Sequence, residues 1–260
     1  MGRWFRGTIW VFCTLVFLGT GTSLAAGVPR SLQEIRAQGE LVVGIEDDTW
    51  GRFHIWEHGT VVGLEVDLAE RIAAAAGVRL RVLPVPLGNG EAGTISGTWA
   101  SGAWGDVDLL LAGITVDAER AQMVTFSEWY FSAGQTVLFR KALGARTTED
   151  LAGRRVAFQG ATTSEAVVRK AMARSIPVPF NTWSGSFSAF ESGDVDAVVV
   201  DSPLAIQKVR ENGDFQVLGV LLSRERYGAV LPKDVDPEFK KLVDQVIRQV
   251  REELFRKWFS

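Results

Sequence analysis

The stretch GDVDLLLA at residues 105–112 returns as GDVDAVVV at residues 193–200, and each copy places a short acidic turn before an apolar run. Short apolar runs bounded by Gly and Asp are typical of strands buried inside a parallel sheet. Open α/β sheets bind ligands just outside the carboxyl ends of their strands, and the two runs lead to Arg120 and to Asp201. A guanidinium at one strand end and a carboxylate at the other predict a ligand that carries both a carboxylate and an ammonium group.

Composition excludes several classes of protein. The chain has 260 residues, 47% of them apolar, and a formal net charge of −3, which argues against a nucleic acid or an anionic membrane as partner. Its single cysteine is Cys13, so the rest of the chain has no disulfide, no thiol nucleophile and no thiolate metal site. The apolar content is enough for one large domain or for two smaller lobes.

The first 26 residues have the order of a secretory signal. Arg3 and Arg6 precede an apolar run at residues 9–18, and small residues with the sequence SLAA follow at residues 23–26. The run is short for a bilayer span, which takes roughly 20 apolar residues. We therefore expect residues 1–26 to be a cleaved signal peptide, with the mature protein exported to the periplasm and not inserted in the membrane.

The remaining pattern predicts two α/β lobes. Strands are expected at residues 41–45 and 79–85, with a helix over residues 67–76 between them that Gly77 ends. A second β-α-β series contains an expected strand at 155–158, a helix at 163–173 and the repeat at 193–200. Further strands are expected at 136–140 and 227–231, and a helix at 236–258. Residues 27–133 with 231–260 form the predicted first lobe, and residues 134–230 the second. The chain is expected to pass from one lobe to the other twice. Small ligands typically bind in the cleft between two lobes.

Five segments in this order resemble one protein family. They are VVGLEVDLAERIA, LAGITVDAERAQMVTFSEWY, VAFQGATTSEA, GDVDAVVVDSPLA and the closing FRKWF. Together they are similar to the extracellular solute-binding proteins of family 3, the polar amino-acid receptors of bacterial ABC importers. The resemblance implies the type II periplasmic-binding-protein fold, in which two lobes with parallel or mixed sheets and flanking helices are joined by two hinge strands.

The resemblance also implies roles for residues that follow the repeats. Arg120 would hold the ligand carboxylate with its guanidinium fork. Gly113 and Thr115 match the positions that give a carbonyl to the ammonium and a hydroxyl and N–H to the carboxylate. Asp201 matches the acidic residue that binds the α-ammonium.

The other implied contacts come from a helix start and from the segment after the first strand. Thr162 and Thr163 open a helix whose free N–H groups would face the same carboxylate. Trp50 matches the aromatic residue that stacks on the ligand, and Asp47 matches the acidic residue that reads its side chain. An aromatic wall with acidic neighbours suits a cationic or strongly polar side chain. A second stacking ring is expected within residues 87–105, where Trp99 is the candidate.

The implied function is capture of an amino acid between the lobes and its delivery to the permease of an ABC importer. We expect a monomer with no cofactor, no metal and no enzymatic activity.

Three other interpretations of the sequence stay open. His54, Glu57 and His58 spell the zinc pattern H-x-x-E-H, but alternating residues around them favour a solvated hairpin turn over a helix. Glycines 88, 90 and 93 spell a dinucleotide fingerprint, for which a loop is the simpler interpretation. Glu165, within a T-x-x-E capping box, occupies the place of the general acid in exported cyclohexadienyl dehydratases built on this fold.

Overall fold

The computed structural model describes residues 29–87, 97 and 104–260. The expected signal peptide with Cys13, the glycine fingerprint and Trp99 lie outside the described residues. Within the described part of the chain, no helix is long and apolar enough to cross a membrane.

The first sheet has five strands, in the order β4-β1-β5-β12-β6. β1 is parallel to both of its neighbours, and β12 is antiparallel to β5 and β6, so the sheet is mixed. Its strands are β1 (Glu40–Glu46), β4 (Arg79–Val85), β5 (Leu109–Leu111), β6 (Thr125–Ala133) and β12 (Glu225–Leu231).

The second sheet repeats this arrangement, in the order β11-β7-β10-β8-β9. β8 is parallel to β9 and β10, whereas β7 is antiparallel to β10 and β11. Its strands are β7 (Gln135–Arg140), β8 (Arg155–Gln159), β9 (Ile176–Phe180), β10 (Ala197–Asp201) and β11 (Phe215–Val217). A separate hairpin pairs β2 (Ile55–Glu57) with β3 (Thr60–Val62).

The two quoted repeats supply β5 and β10, the middle strands of the two sheets, as the sequence predicts. Every residue of both strands is buried, because helices and neighbouring strands cover them on all sides. Their carboxyl ends bring Gly113 and Asp201 to the facing edges of the two sheets. The fold is the predicted two-lobed α/β fold with mixed sheets.

Helices flank the sheets within residues 29–87 and 104–260. They are α1 (Leu32–Gln38), α2 (Leu64–Ala76), α3 (Arg120–Met123), α4 (Thr163–Ala171), α5 (Trp183–Ser192), α6 (Ser202–Glu211) and α7 (Pro237–Phe259). α2 begins at Leu64, earlier than the predicted residue 67, because Gly63 adopts an extended positive-φ conformation that turns the chain into the helix. Gly77 ends α2 at a φ of 77°, as expected for a left-handed cap.

The chain crosses between the sheets at Gly134 and again between β11 and β12. The expected division placed the first boundary between residues 133 and 134. The second crossing comes before Glu225, whereas the expected boundary assigned residues up to 230 to the second lobe. β12 pairs with β6 from Glu225 opposite Ala133 to Leu231 opposite Thr125, and its buried Tyr227 packs in the core of the first sheet, so the whole strand belongs there.

Candidate ligand-binding site

A cavity lies between the facing edges of the two sheets, and both lobes line it. All but one of the predicted site residues lie on its wall: Trp50, Gly113, Thr115, Arg120, Thr162, Thr163 and Asp201. Glu46 and Trp183, which the sequence analysis did not select, also line it. The lobes touch beside it, because Asp48 Oδ2 accepts a hydrogen bond from Ser184 N at 2.9 Å, at the start of α5.

Asp47 is the predicted residue that the structure does not bring to the cavity. It follows the last residue of β1, its side chain is exposed, and its N–H donates to the carbonyl of Val85 at 3.2 Å. Its neighbour Glu46 is buried and lines the cavity. Because successive side chains of a strand point to opposite faces, an alignment shifted by one residue selects the wrong carboxylate.

Trp50 forms an aromatic wall whose position depends on Gly113. The indole is 2% exposed and its ring lies 4.4 Å from that of Phe53 and 5.4 Å from that of Tyr227, between centroids. Gly113 has a φ of 58°, and a Cβ there would lie 1.9 Å from the Trp50 ring. Only glycine therefore allows the strand end and the indole to approach this closely.

Arg120 supplies a cation at the end of the first-lobe strand. Its Nη1 donates to the carbonyl of Thr115 at 3.2 Å and its Nε lies 3.2 Å from Asp117 Oδ2, so the guanidinium is held at the cavity wall. Burial lowers the pKa of Arg120, while the carboxylates of Asp117, Glu225 and Asp201 raise it. Since the unperturbed pKa of arginine is above 12, the side chain stays charged.

Thr162 and Thr163 begin α4 at the edge of the second lobe. Thr162 is the N-cap, and its hydroxyl oxygen accepts from Ser164 N at 3.3 Å while it donates to the carbonyl of Gln159 at 2.7 Å. Glu165 turns back to the N–H of Ala161 at 3.0 Å, one residue before the donor of the expected capping box. The N-terminus of α4, which is the positive end of the helix dipole, therefore lies at the cavity wall.

Asp201 ends β10 and occupies the N-cap position of α6, but its carboxylate makes no capping hydrogen bond. Instead it accepts a hydrogen bond from the hydroxyl of Tyr227 and lines the cavity. Burial, with a smaller contribution from the nearby carboxylate of Glu225, raises the pKa of Asp201 to about 7. A cation in the cavity would favour the ionised form of this carboxylate.

Ligand binding through Asp201 is expected to depend on pH. An ammonium needs the ionised carboxylate, and the empty site is protonated below a pKa of about 7. Affinity should therefore rise as pH increases from 5.5 to 7.5, approaching about tenfold per pH unit at the acidic end, and level off above that. The raised pKa also means that the folded chain holds the Asp201 proton more tightly than the unfolded chain does. The contribution of Asp201 to the free energy of unfolding therefore decreases as the pH rises from about 4 to about 7.

Calorimetric titrations at pH 5.5, 6.5, 7.5 and 8.5, each in two buffers of different ionisation enthalpy, measure the affinity and the proton released on binding. Equal affinity at all four values with no released proton would contradict the role of Asp201.

The H-x-x-E-H segment contains the expected solvated hairpin turn, but its first histidine lies in a buried ion pair. The hairpin is present and His58 is exposed in its turn, but His54 is fully buried, with its Nδ1 2.6 Å from Glu65 Oε2 and its Nε2 3.7 Å from Glu46 Oε2. Burial lowers the pKa of His54, but hydrogen bonds and charges from the two glutamates outweigh it and raise the pKa to about 9. Among the described residues, no group of three His, Cys, Asp or Glu side chains has the geometry to hold a metal ion.

Glu65 connects this ion pair to the cavity wall. Its Oε1 accepts from the N–H of Gly113 at 2.7 Å and from the hydroxyl of Tyr130. The expectation that His54 is solvated is thus wrong. Inside the first lobe, the carboxylates of Glu46 and Glu65 take the place of water around its imidazolium ring.

Comparison with known proteins agrees with this architecture. The family model of bacterial extracellular solute-binding proteins, family 3, matches residues 41–260. The chain belongs to this family. The glutamine-binding protein GlnH of a Bacillus subtilis ABC transporter is 30% identical over 165 residues, which is 60% of this chain and 59% of that protein.

Two solved structures superimpose closely on this family 3 protein. The arginine-bound form of truncated ArgBP from T. maritima has a TM-score of 0.73 at 32% identity and covers 84% of this chain and 99% of its own. The ancestral amino acid-binding protein AncCDT-1, a precursor of cyclohexadienyl dehydratase, has a TM-score of 0.74 at 30% identity. The match covers 88% of this chain and 99% of AncCDT-1.

Proposed function

We propose that this family 3 protein captures an amino acid between its lobes and delivers it to the permease of an ABC importer. The observation that carries the proposal is the placement of Arg120 and Asp201, from different lobes, on the wall of one cavity. The guanidinium would bind the ligand carboxylate and Asp201 its ammonium, so each lobe holds one charged end. Contacts to both lobes exist only in the closed state, and an amino acid would therefore shift an open–closed equilibrium.

The ligand side chain that suits this cavity best is cationic. Glu46 lies on the wall together with the indoles of Trp50 and Trp183. Burial raises the pKa of Glu46 although His54, whose Nε2 lies 3.7 Å from Glu46 Oε2, acts to lower it, and a second cationic group in the cavity would further compensate for the cost of the charge. Indole faces attract cations as well. The arginine-bound ArgBP structure supports the same assignment by likeness.

The family and the amino-terminal segment support a location outside the cytoplasm and a transporter partner. The family consists of extracellular proteins, and residues 1–26 have the order of a secretory signal. We infer that the signal is cleaved and that a mature monomer works in the periplasm, where it presents its closed lobes to the permease.

The dehydratase alternative places a general acid at Glu165, and the surroundings of this residue disfavour it. Glu165 is not among the cavity residues, and its Oε1 pairs with Arg169 at 2.7 Å on the outside of α4. The pKa of Glu165 is lowered chiefly by the hydrogen bond from the N–H of Ala161 and to a lesser extent by one from Arg169. The side chain is therefore ionised and has no proton to donate as a general acid.

Glu165→Gln is expected to bind the tightest amino acid with an affinity within about threefold of the wild type, since an N-terminal cap contributes near 1 kcal/mol to the helix and nothing to the ligand. Incubation of the wild type with prephenate should give no phenylpyruvate. Turnover that disappears in Glu165→Gln, with no amino acid bound, would establish the dehydratase instead.

The proposed function is tested by a melting screen of the twenty common amino acids, with prephenate and the deaminated analogues as controls. A ligand at about 100 times its dissociation constant adds roughly 2.7 kcal/mol to the free energy of unfolding. At least one amino acid should raise the melting temperature, with arginine or lysine giving the largest rise. A screen in which no amino acid shifts the transition would refute amino-acid capture.

A further inference from the structure

A carboxylate of the chain itself joins the two lobes beside the ligand cavity. Glu225 is buried at the start of β12, where the chain returns to the first sheet. Its Oε2 accepts a hydrogen bond from Thr115 Oγ1, which belongs to the first lobe, and another from Thr163 Oγ1, at the start of α4 in the second lobe, at 3.0 Å. Its Oε1 accepts from Ser223 Oγ at 2.6 Å.

The two threonine hydroxyls line the cavity, and both now point to an anion within the protein. They are not available as donors to a ligand carboxylate unless Glu225 moves. Arg120 lies at the same place, because its Nη1 donates to the carbonyl of Thr115 at 3.2 Å. The negative charges of Glu225 and Asp201 both act on this guanidinium.

A ligand carboxylate at Arg120 would therefore approach the carboxylate of Glu225, which already accepts the hydroxyl hydrogen bonds of Thr115 and Thr163. Like charges placed together in a binding site oppose binding and serve to reject ligands. A ligand that lacks the carboxylate would leave Arg120 in its ion pair with Asp117, so no buried charge would become unpaired. The usual large loss of affinity on removing a charged ligand group should be much reduced here.

We propose that Glu225 is a specificity-determining residue that opposes the α-carboxylate of the ligand at Arg120, so that the cleft binds decarboxylated amines nearly as well as the matching amino acids. This inference rests on the proposed function, because it assumes that an amino acid binds in this cavity. The ligand class of the protein then includes organic cations with an ammonium and no α-carboxylate.

The test compares each amino acid with the amine that differs from it only by the carboxylate. The probes are arginine with agmatine, glutamine with 4-aminobutanamide, and glutamate with 4-aminobutanoate, and the pair with the tightest amino acid is used. Calorimetry should give a wild-type preference for the amino acid of less than about tenfold, below the thirtyfold to several thousandfold that loss of a buried charge pair costs.

The decisive variant is Glu225→Gln, which keeps the size of the side chain and an oxygen acceptor for the threonine hydroxyls but removes the charge. The ratio of the two dissociation constants should rise by about tenfold or more in favour of the amino acid, because the ligand carboxylate then meets no negative charge from residue 225. Glu128→Gln is the matched control, since Glu128 pairs with Arg248 at 3.2 Å away from the cavity, and its ratio should equal that of the wild type.

A ratio in folded Glu225→Gln that equals the wild-type ratio or is lower would overturn the proposal, as would a wild-type preference of about thirtyfold or more. If the variant does not fold, the wild-type preference alone decides. If an amino acid binds but the ratio does not change, only the role of Glu225 fails; if no amino acid binds at all, the proposed function fails with it.

Discussion

Replacing Arg120 by alanine is expected to weaken binding of the tightest amino acid by about thirtyfold to several thousandfold, which corresponds to 2–5 kcal/mol for loss of a buried charge-assisted pair. The ligand carboxylate would then meet Glu225 without the cation that separates the two charges. The fold should persist, because the short helix α3, which Arg120 begins, contributes no residue to the hydrophobic core. Calorimetry measures the dissociation constant, and melting curves check the fold.

The matched control for Arg120 is Arg248→Ala. Arg248 lies on α7 and forms an exposed ion pair with Glu128, with a distance of 3.2 Å between Arg248 Nη1 and Glu128 Oε1. Exposed pairs of this kind contribute about 0–1 kcal/mol to stability, so affinity should not change. An unchanged dissociation constant in Arg120→Ala, equal to that of the control, would remove Arg120 from the site.

Asp201→Asn is expected to cost a comparable amount, about a hundredfold or more in affinity for the same amino acid. The amide is nearly isosteric and can still accept from the hydroxyl of Tyr227, so the effect isolates the charge. In the wild type, the deaminated analogue of the ligand should bind at least as poorly, since it leaves the buried carboxylate without its cation.

Asp194→Asn provides the matched control for Asp201, because Asp194 lies in the acidic turn at the other end of the same strand and is exposed. Its affinity and pH profile should match those of the wild type. Retention of wild-type affinity in Asp201→Asn, with the deaminated analogue binding equally well, would show that the ammonium is held elsewhere.

The sequence predicts the strands and the site where local pattern is enough. The repeats at 105–112 and 193–200 are apolar, short and bounded by turn residues, and these features correctly predict β5 and β10. Since ligands bind at the carboxyl ends of such strands, Arg120 and Asp201 could be selected without coordinates. Helix ends were predicted well where glycine caps them, as at Gly77.

The residues that the sequence analysis missed depend on contacts between distant parts of the chain. Glu225 meets Thr115 across 110 positions, and neither residue has a local pattern that reveals the other. Trp183 is one of nine tryptophans and belongs to the hydrophobic core, and only the placement of α5 shows that it also lines the cavity. Three consecutive acidic residues stand at the end of β1, but their sequence alone could not show that Glu46, and not Asp47, faces the cavity.

His54 shows the same limit for buried charges. Alternating residues predicted the hairpin, yet the burial of His54 depends on its ion pair with Glu65, eleven residues away on α2. A cation between two buried carboxylates is visible only when the three side chains are placed together.

The most direct test of the account is a crystal structure of the protein with its tightest amino acid. We expect the ligand between the lobes, with its carboxylate within about 2.7–2.9 Å of the Arg120 guanidinium and its ammonium at a similar distance from the carboxylate of Asp201, as in charge-assisted hydrogen bonds. A ligand bound outside this cavity, or one whose carboxylate and ammonium contact neither residue, would contradict it.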